Sequence, residues 1–277
     1  MSECTHNCDT CGLGCASKNT EIKKVPLGKG CKIKHIIGVS SGKGGVGKSF
    51  VTSLVASGLK KKGFEVGILD ADILGPSIPK SFGIIEKDVV ANSDKLMIPK
   101  ISSSGVKIMS TNLLLEDDTE PIIFRGSLLA GTLTQFYQET FWGELDYLII
   151  DMPPGTGDVP LTIYQQIPID GVIIVSSPQS LVSMIVNKSI NMADKMAIPI
   201  IGLVENMSYV LCYSCNNKIE IFGHSDIDKI AKKFNIDVLA KLPIRAEYAK
   251  MIDEGMVENI DIVELDSALD KIIKFKK

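Results

Sequence analysis

Six short apolar runs punctuate the chain from His35 onward: Ile36–Val39, Val66–Leu69, Leu148–Ile150, Val172–Val175, Ile200–Val204 and Val238–Leu242. Each is rich in Val, Ile and Leu and does not alternate with polar residues, the pattern of strands covered on both faces. Between them the period changes. Over residues 48–62 apolar positions recur at Val51, Val55 and Leu59 and at Phe50 and Leu54; over 180–196 they recur at Leu181, Met184 and Ile185, with Met192 and Met196 farther on. That spacing predicts amphipathic helices. Strand alternating with helix predicts an α/β fold with a doubly wound, mostly parallel sheet. Two apolar stretches flank Ser102-Ser103-Ser104-Gly105 within residues 94–110 and predict a hairpin inserted in that sheet.

Residues 1–30 break the pattern. They are polar, rich in Cys, Thr, Asn and Lys, and carry no apolar period. They read as a Cys-rich tail that orders around a metal or not at all, with one domain over 31–277. The chain has 277 residues, 45% hydrophobic and 23% charged, enough to bury a core without cross-links. A net charge of −3 gives no electrostatic case for a nucleic-acid partner. No apolar run approaches the ~18 residues of a membrane span. The first residues, Met1-Ser2-Glu3-Cys4, begin no basic and apolar leader. The expectation is a cytoplasmic protein with neither membrane nor nucleic acid as partner.

After the first run comes Gly42-Lys43-Gly44-Gly45-Val46-Gly47-Lys48-Ser49, a match to the phosphate-loop pattern G-x-x-x-x-G-K-[ST]. A strand precedes it and an amphipathic helix follows, the context the motif requires. Glycines let the backbone wrap phosphates with N–H groups, and the helix N-terminus adds its dipole. Lys48 can reach the β/γ-phosphates and the Ser49 hydroxyl can bind Mg²⁺. Lys43 is a second loop lysine, either solvated or reaching a phosphate across a subunit interface. Leu148-Ile149-Ile150-Asp151 is an apolar strand ending in a carboxylate able to hold the Mg²⁺ shell, continued by the stiff loop Met152–Asp158. Asp70 and Asp72 follow the second run, where strand ends face a ligand crevice. No Asn-Lys-x-Asp guanine signature is present; Asn187-Lys188-Ser189-Ile190 lacks the Asp and sits in a helical pattern, which favours ATP. Asn206, just past the run Ile200–Val204, is placed for an adenine edge or as a strand-end turn residue.

Seven cysteines fall into two clusters and a singleton. Cys212-Tyr213-Ser214-Cys215 supplies two thiolates, too few for a four-ligand site. The pair is a redox dithiol, a half-site completed by a second subunit, or incidental; a completed Cys₄ site suits Zn²⁺ or an Fe–S cluster. Cys4, Cys8, Cys11 and Cys15 can wrap a [4Fe–4S] cluster or a small zinc site. Cys31 reads as a small buried hydrophobe, and His6, His35 and His224 as residues without a metal role.

Taken together, the phosphate loop, Asp70-Ala71-Asp72 with Gly75-Pro76-Ser77, Asp151–Asp158, and Glu205-Asn206-Met207-Ser208 followed by the cysteine pair resemble one family. It is the Mrp/NBP35-type iron–sulfur cluster carrier ATPases, of the deviant Walker A, MinD/ParA-like P-loop class. The likeness spans about residues 31–260, and the pair lies in an insertion at 207–224. It implies P-loop NTPase topology and an ATP-hydrolysing carrier that assembles [4Fe–4S] clusters and transfers them to apoproteins as a homodimer. By the same resemblance Lys43 contacts the partner subunit's nucleotide, Asp72 positions the attacking water, and Asn206 with the turn at Pro243 and Arg245 holds adenine. Cys212 and Cys215 bridge a labile cluster between subunits. Tyr213 stands where the family usually has Pro, and the four N-terminal cysteines are more closely spaced than in the NBP35 branch they resemble. The competing functions are a MinD/ParA-like positioning or partition ATPase, which can end in an amphipathic membrane helix, and an ATP-driven electron-transfer protein. The terminal pattern at Ile262, Leu265, Leu269, Ile272 and Ile273 includes Glu264, Asp266 and Asp270, and reads as a helix docked on the protein's own core.

Overall fold

The computed structural model describes residues 24–72, 75, 77–114 and 126–275. Cys4, Cys8, Cys11, Cys15 and His6 lie outside these residues.

The strands are β1 (Lys32–Ser41), β2 (Val66–Asp70), β3 (Lys100–Ile101), β4 (Lys107–Ser110), β5 (Glu144–Asp151), β6 (Gly171–Ser176), β7 (Ile200–Leu211), β8 (Lys218–Ile219) and β9 (Val238–Pro243). Among the described residues they form one sheet in the order β3-β4-β2-β5-β1-β6-β7-β8, with β9 also paired to β7. All pairings are parallel except β3 with β4 and β7 with β8. The continuous apolar runs are explained by this topology: β2 and β6 are buried along their whole length. The hairpin around Ser102–Gly105 is present as β3 and β4, and β4 also joins the main sheet parallel to β2.

Helices cover both faces. On one lie α1 (Lys48–Lys61), α2 (Ile78–Ser81), α7 (Ala246–Asp253) and α8 (Asp266–Lys274). On the other lie α3 (Gly126–Glu139), α4 (Asp158–Gln166), α5 (Ser180–Lys195) and α6 (Ile227–Phe234). In α1 the residues Val51, Leu54, Val55 and Leu59 are buried, as their spacing predicts. In α5 the buried stripe is Val186, Ile190 and Ala193, whereas Met184 is exposed. Met192 and Met196 are half-buried and pack against the same core, so among the described positions of the expected stripe it is Met184 that faces out. In α8 Ala268, Leu269 and Ile272 are buried against the core. Leu269 lies so close to α1 that a Cβ on Gly58 would stand 2.5 Å from its Cδ1.

Three sequence expectations are corrected. The run Ile200–Val204 is only the first part of β7, which continues to Leu211 because its second half pairs with β8. Asn206 therefore stands inside a strand and not just past one. Cys31 is half-buried, not buried, with its Sγ 3.7 Å from the Thr140 carbonyl. The chain from Lys24 already lies on the body: the Val25 N–H donates to the Gln166 carbonyl at 2.9 Å, and Lys24 Nζ donates to the Tyr164 carbonyl at 2.6 Å.

Candidate functional site

The C-terminal ends of β1, β2 and β5 converge on one crevice, where doubly wound sheets bind ligands. Residues Gly42–Gly47 turn from β1 into α1. Gly47 caps the helix with φ +77°, a left-handed conformation costly for any residue with a Cβ. Gly42 lies against α5 so tightly that a Cβ there would stand 2.1 Å from Ile185 Cγ2. The loop opens onto a cavity of about 270 Å³ lined by Gly44, Gly45, Lys48, Ser49, Asp72 and Phe50, among others.

Lys48 is buried, with its Nζ 2.8 Å from Asp151 Oδ2 and 3.4 Å from Asp72 Oδ2. Burial alone would lower its pKa, but the Asp151 and Asp72 charges outweigh it and hold the ammonium above its ordinary value. Asp151 is the hub. The Ser49 hydroxyl donates to its Oδ2 at 2.6 Å, and Thr52, one turn along α1, is 2.7 Å from its Oδ1. Two hard oxygen donors side by side at the loop, one of them charged, fit Mg²⁺. Asp72 is raised above the usual carboxylate range, by burial against the pull of Lys48. Asp70, opposite Asp151 in the sheet register, is fully buried. Burial and then the Asp151 charge push its pKa up to about 8. The Ser110 hydroxyl and the Asp72 N–H hold its two oxygens at 3.1 and 3.2 Å. The Met152–Asp158 loop returns to the site through the Gly155 N–H, 2.8 Å from the Ser41 carbonyl.

The remaining sequence candidates are distributed around this centre. Lys43 lines the same cavity, with its Nζ donating to Gln179 Oε1. Asn206 is buried beneath the loop, where its Nδ2 donates to the Val46 carbonyl at 3.0 Å. Pro243 is paired with Tyr209 at the end of β9. Arg245 lines a separate cavity with Cys212, its guanidinium carbon 5.6 Å from the Tyr248 ring centre. Thr52, Ser110, Gln179 and the apolar Ile252 and Val257 of the cavity wall are site residues that sequence reasoning missed. Thr52 was within reach, since it stands one helical turn from Ser49; the others are brought in by distant elements.

Cys212 and Cys215 sit in the turn between β7 and β8. The Cys212 N–H donates to the Asn217 carbonyl and the Asn216 N–H to the Cys212 carbonyl, both at 2.9 Å. Cys215 is exposed and Cys212 half-buried. The Ser214 hydroxyl, 3.2 Å from Cys212 Sγ, together with the backbone N–H groups of Ser214 and Cys215, brings the thiol pKa down to about 6. These contacts favour the thiolate, the metal-binding form. Among the described residues, no group of three or more His, Cys, Asp or Glu is placed to hold a metal ion. His35 stacks on Tyr147 and His224 pairs with Glu220, both away from the cysteines' chemistry. No described helix is long and apolar enough to cross a membrane.

This crevice and loop match a family profile described as a ParA-type "NUBPL iron-transfer P-loop NTPase" over residues 32–275. The chain belongs to that family. A relative from Clostridium perfringens named iron-sulfur cluster carrier protein is 46% identical over 82% of this chain and 81% of its own length. One of the same name from Methanocaldococcus jannaschii is 43% identical over 99% and 96%. Among solved structures, a nucleotide-binding protein from Archaeoglobus fulgidus in complex with ADP superposes with a TM-score of 0.76 at 41% identity, covering 84% of this chain and 91% of its own. The cell-division ATPase MinD of Pyrococcus furiosus shares the fold alone, with a TM-score of 0.63 at 18% identity over 87% and 99%.

Proposed function

We propose that this family member is an ATP-hydrolysing iron–sulfur cluster carrier that holds a [4Fe–4S] cluster as cargo between two copies of the chain and delivers it to apoproteins in the cytoplasm. The observation that carries the reading is the pairing, on one chain, of a phosphate loop closed over carboxylates with a hairpin that presents two thiols and no further ligand among the described residues. Two thiolates from each of two chains supply the four that a [4Fe–4S] cluster takes. The names of relatives at 46% and 43% identity support the same cargo.

In this reading the loop amides and Lys48 hold the phosphates of ATP. Ser49, and Asp151 through the ion's shell, would hold Mg²⁺, which would supply neutralisation of the phosphate charge. Asp72, beside Lys48 at the cavity wall, accepts a hydrogen bond from the attacking water and aims it at the γ-phosphate. Lys43, on the exposed side of the loop, reaches the nucleotide of the second copy. Asn206, Pro243 and Arg245 border the adenine end. The four N-terminal cysteines hold a second, separate complement of metal.

The test is anaerobic reconstitution with iron and sulfide, followed by iron and sulfide per chain and mass by light scattering. The Cys212→Ser/Cys215→Ser protein should lose the bridging cluster and remain monomeric while still binding ATP. A double variant that dimerises on reconstitution with wild-type iron content overturns the half-site. A positioning ATPase that anchors to a membrane through a terminal amphipathic helix needs that helix free, and the apolar face of α8 is occupied by the protein's own core.

A further inference from the structure

Strand β7 meets the phosphate loop through Asn206 and, at Gly47, through the Met207 terminal methyl, and it ends at Leu211, one residue before the cargo ligand Cys212. At the first point Asn206 Nδ2 is bonded to the Val46 carbonyl, and it packs so closely that a Cβ on Gly47 would stand 2.1 Å from it. Gly47 is also the N-cap of α1, so any shift of the loop on phosphate binding meets this amide directly. The next residue, Met207, has φ +60°, in the left-handed region that a side chain other than Asn or Gly rarely occupies. There the pairing with β9 slips, between Glu205 and Tyr209. Four residues of β7 there span two of β9, a bulge-like irregularity of the kind that bends a strand and re-aims the residues beyond it. Glu205, on the near side, is buried and accepts hydroxyls from Ser225, which anchors that end, and from Ser208, which clasps the strand across Met207. On the far side the Tyr209 ring lies 4.2 Å beneath Lys218 Nζ of β8. Movement at the bulge therefore carries both arms of the cysteine hairpin.

We infer that Met207 is a positioning residue: its bulge, gripped by Asn206 on the phosphate loop, transmits the nucleotide state of the loop to Cys212 and Cys215. The inference rests on the carrier reading and names the part of the chain that would link its two chemistries. A non-glycine residue at positive φ makes the bulged backbone expensive, so a change of loop contact is enough to shift its geometry. Glycine at 207 lowers that cost and valine, being β-branched, raises it.

The experiment uses the full-length, metal-free protein and measures alkylation rates at Cys212 and Cys215 by peptide mass spectrometry, with and without a non-hydrolysable ATP analogue and Mg²⁺. In the wild type the analogue changes these rates by at least about threefold, a small fraction of the strain range available at such a position. Met207→Gly and Met207→Val shift the rates without analogue in opposite directions, and each cuts the analogue's effect by half or more. Neither changes the analogue's dissociation constant more than about threefold, because 207 contributes no loop backbone and meets Gly47 only through its terminal methyl. Asn206→Ala gives the same loss of response with the Met207 side chain unchanged. Variants that respond like the wild type overturn the inference, and so does a wild type that binds the analogue with unchanged thiol rates. Failure of the carrier reading is read separately, as absence of analogue binding or of iron uptake by the wild type.

Discussion

Lys48 Nζ stands 2.8 Å from Asp151 Oδ2, the same oxygen that accepts the Ser49 hydroxyl. One carboxylate thus fixes both Lys48, the residue proposed to meet phosphate, and Ser49, the residue proposed to meet Mg²⁺, and it does so from a neighbouring strand. The two functional side chains of the loop are set by packing before any ligand arrives, which reduces the ordering cost of binding.

Lys48→Ala removes the cation that pairs with two carboxylates, Asp72 and Asp151. ATP affinity should fall at least about 100-fold, the loss expected of charge-assisted contacts to phosphate. Stability should fall too, by about 3 kcal/mol, because a buried charge stripped of its partner costs more than the pair contributed. Calorimetric titration and denaturant unfolding measure the two. Unchanged nucleotide binding would overturn the phosphate-loop assignment.

Asp72 is half-buried at the cavity wall and its longer contact to Lys48, 3.4 Å, is the weaker of the lysine's two. Asp72→Asn should therefore keep ATP affinity within about threefold while slowing hydrolysis by about 100-fold or more, on the order of a lost acid–base or water-orienting group. The measurement is single-turnover hydrolysis beside equilibrium binding. Equal losses in both would assign Asp72 to the metal or to the loop's structure.

Much of this was legible in the chain. The glycine-rich loop, the apolar runs and the helix 48–62 are local signals, and the structure has each where its period and spacing put it. What was not legible depends on partners distant in sequence. The second half of β7 reads as polar loop, Asn206-Met207-Ser208-Tyr209, and becomes strand only because β8 and β9 flank it. Ser110 reaches Asp70 through the parallel register of β2 and β4, which no local period encodes. In α5 Met184 is apolar by type and exposed by position, a difference that residue type alone does not encode.

The fully buried Asp70 gives a pH signature. Its carboxyl is raised to about 8 in the fold against an ordinary carboxylate value in the unfolded chain. Between those two values the native state holds a proton that the unfolded state has lost. Stability from this group therefore falls as pH rises through that window and levels off above about 8. Asn is isosteric with the protonated acid: its carbonyl accepts from the Asp72 N–H and its amide donates to Ser110. Asp70→Asn should remove that slope, so that the variant gains on the wild type by at least about 1 kcal/mol between about pH 5 and pH 9. Urea unfolding of the nucleotide-free protein across that range measures it. Parallel stability profiles for the two proteins would mean that Asp70 is ionised in the fold.

The last test separates a carrier from a surface-positioning ATPase at α8. That helix has the amphipathic pattern of a membrane anchor, but its apolar face is already occupied: Ala268, Leu269 and Ile272 are buried, and Leu269 fills the notch left by Gly58 on α1. A helix cannot bury one face twice. Leu269→Ala should cost about 2–5 kcal/mol, the range for a leucine removed from a packed core. Gly58→Ala should also destabilise, because its new methyl meets Leu269 at 2.5 Å. Anionic vesicles should not sediment the wild type with or without ATP, since Glu264, Asp266 and Asp270 lie on or beside the same helix. Stable Leu269→Ala protein together with ATP-dependent vesicle binding by the wild type would show that α8 leaves the core, and would return the function to the positioning class.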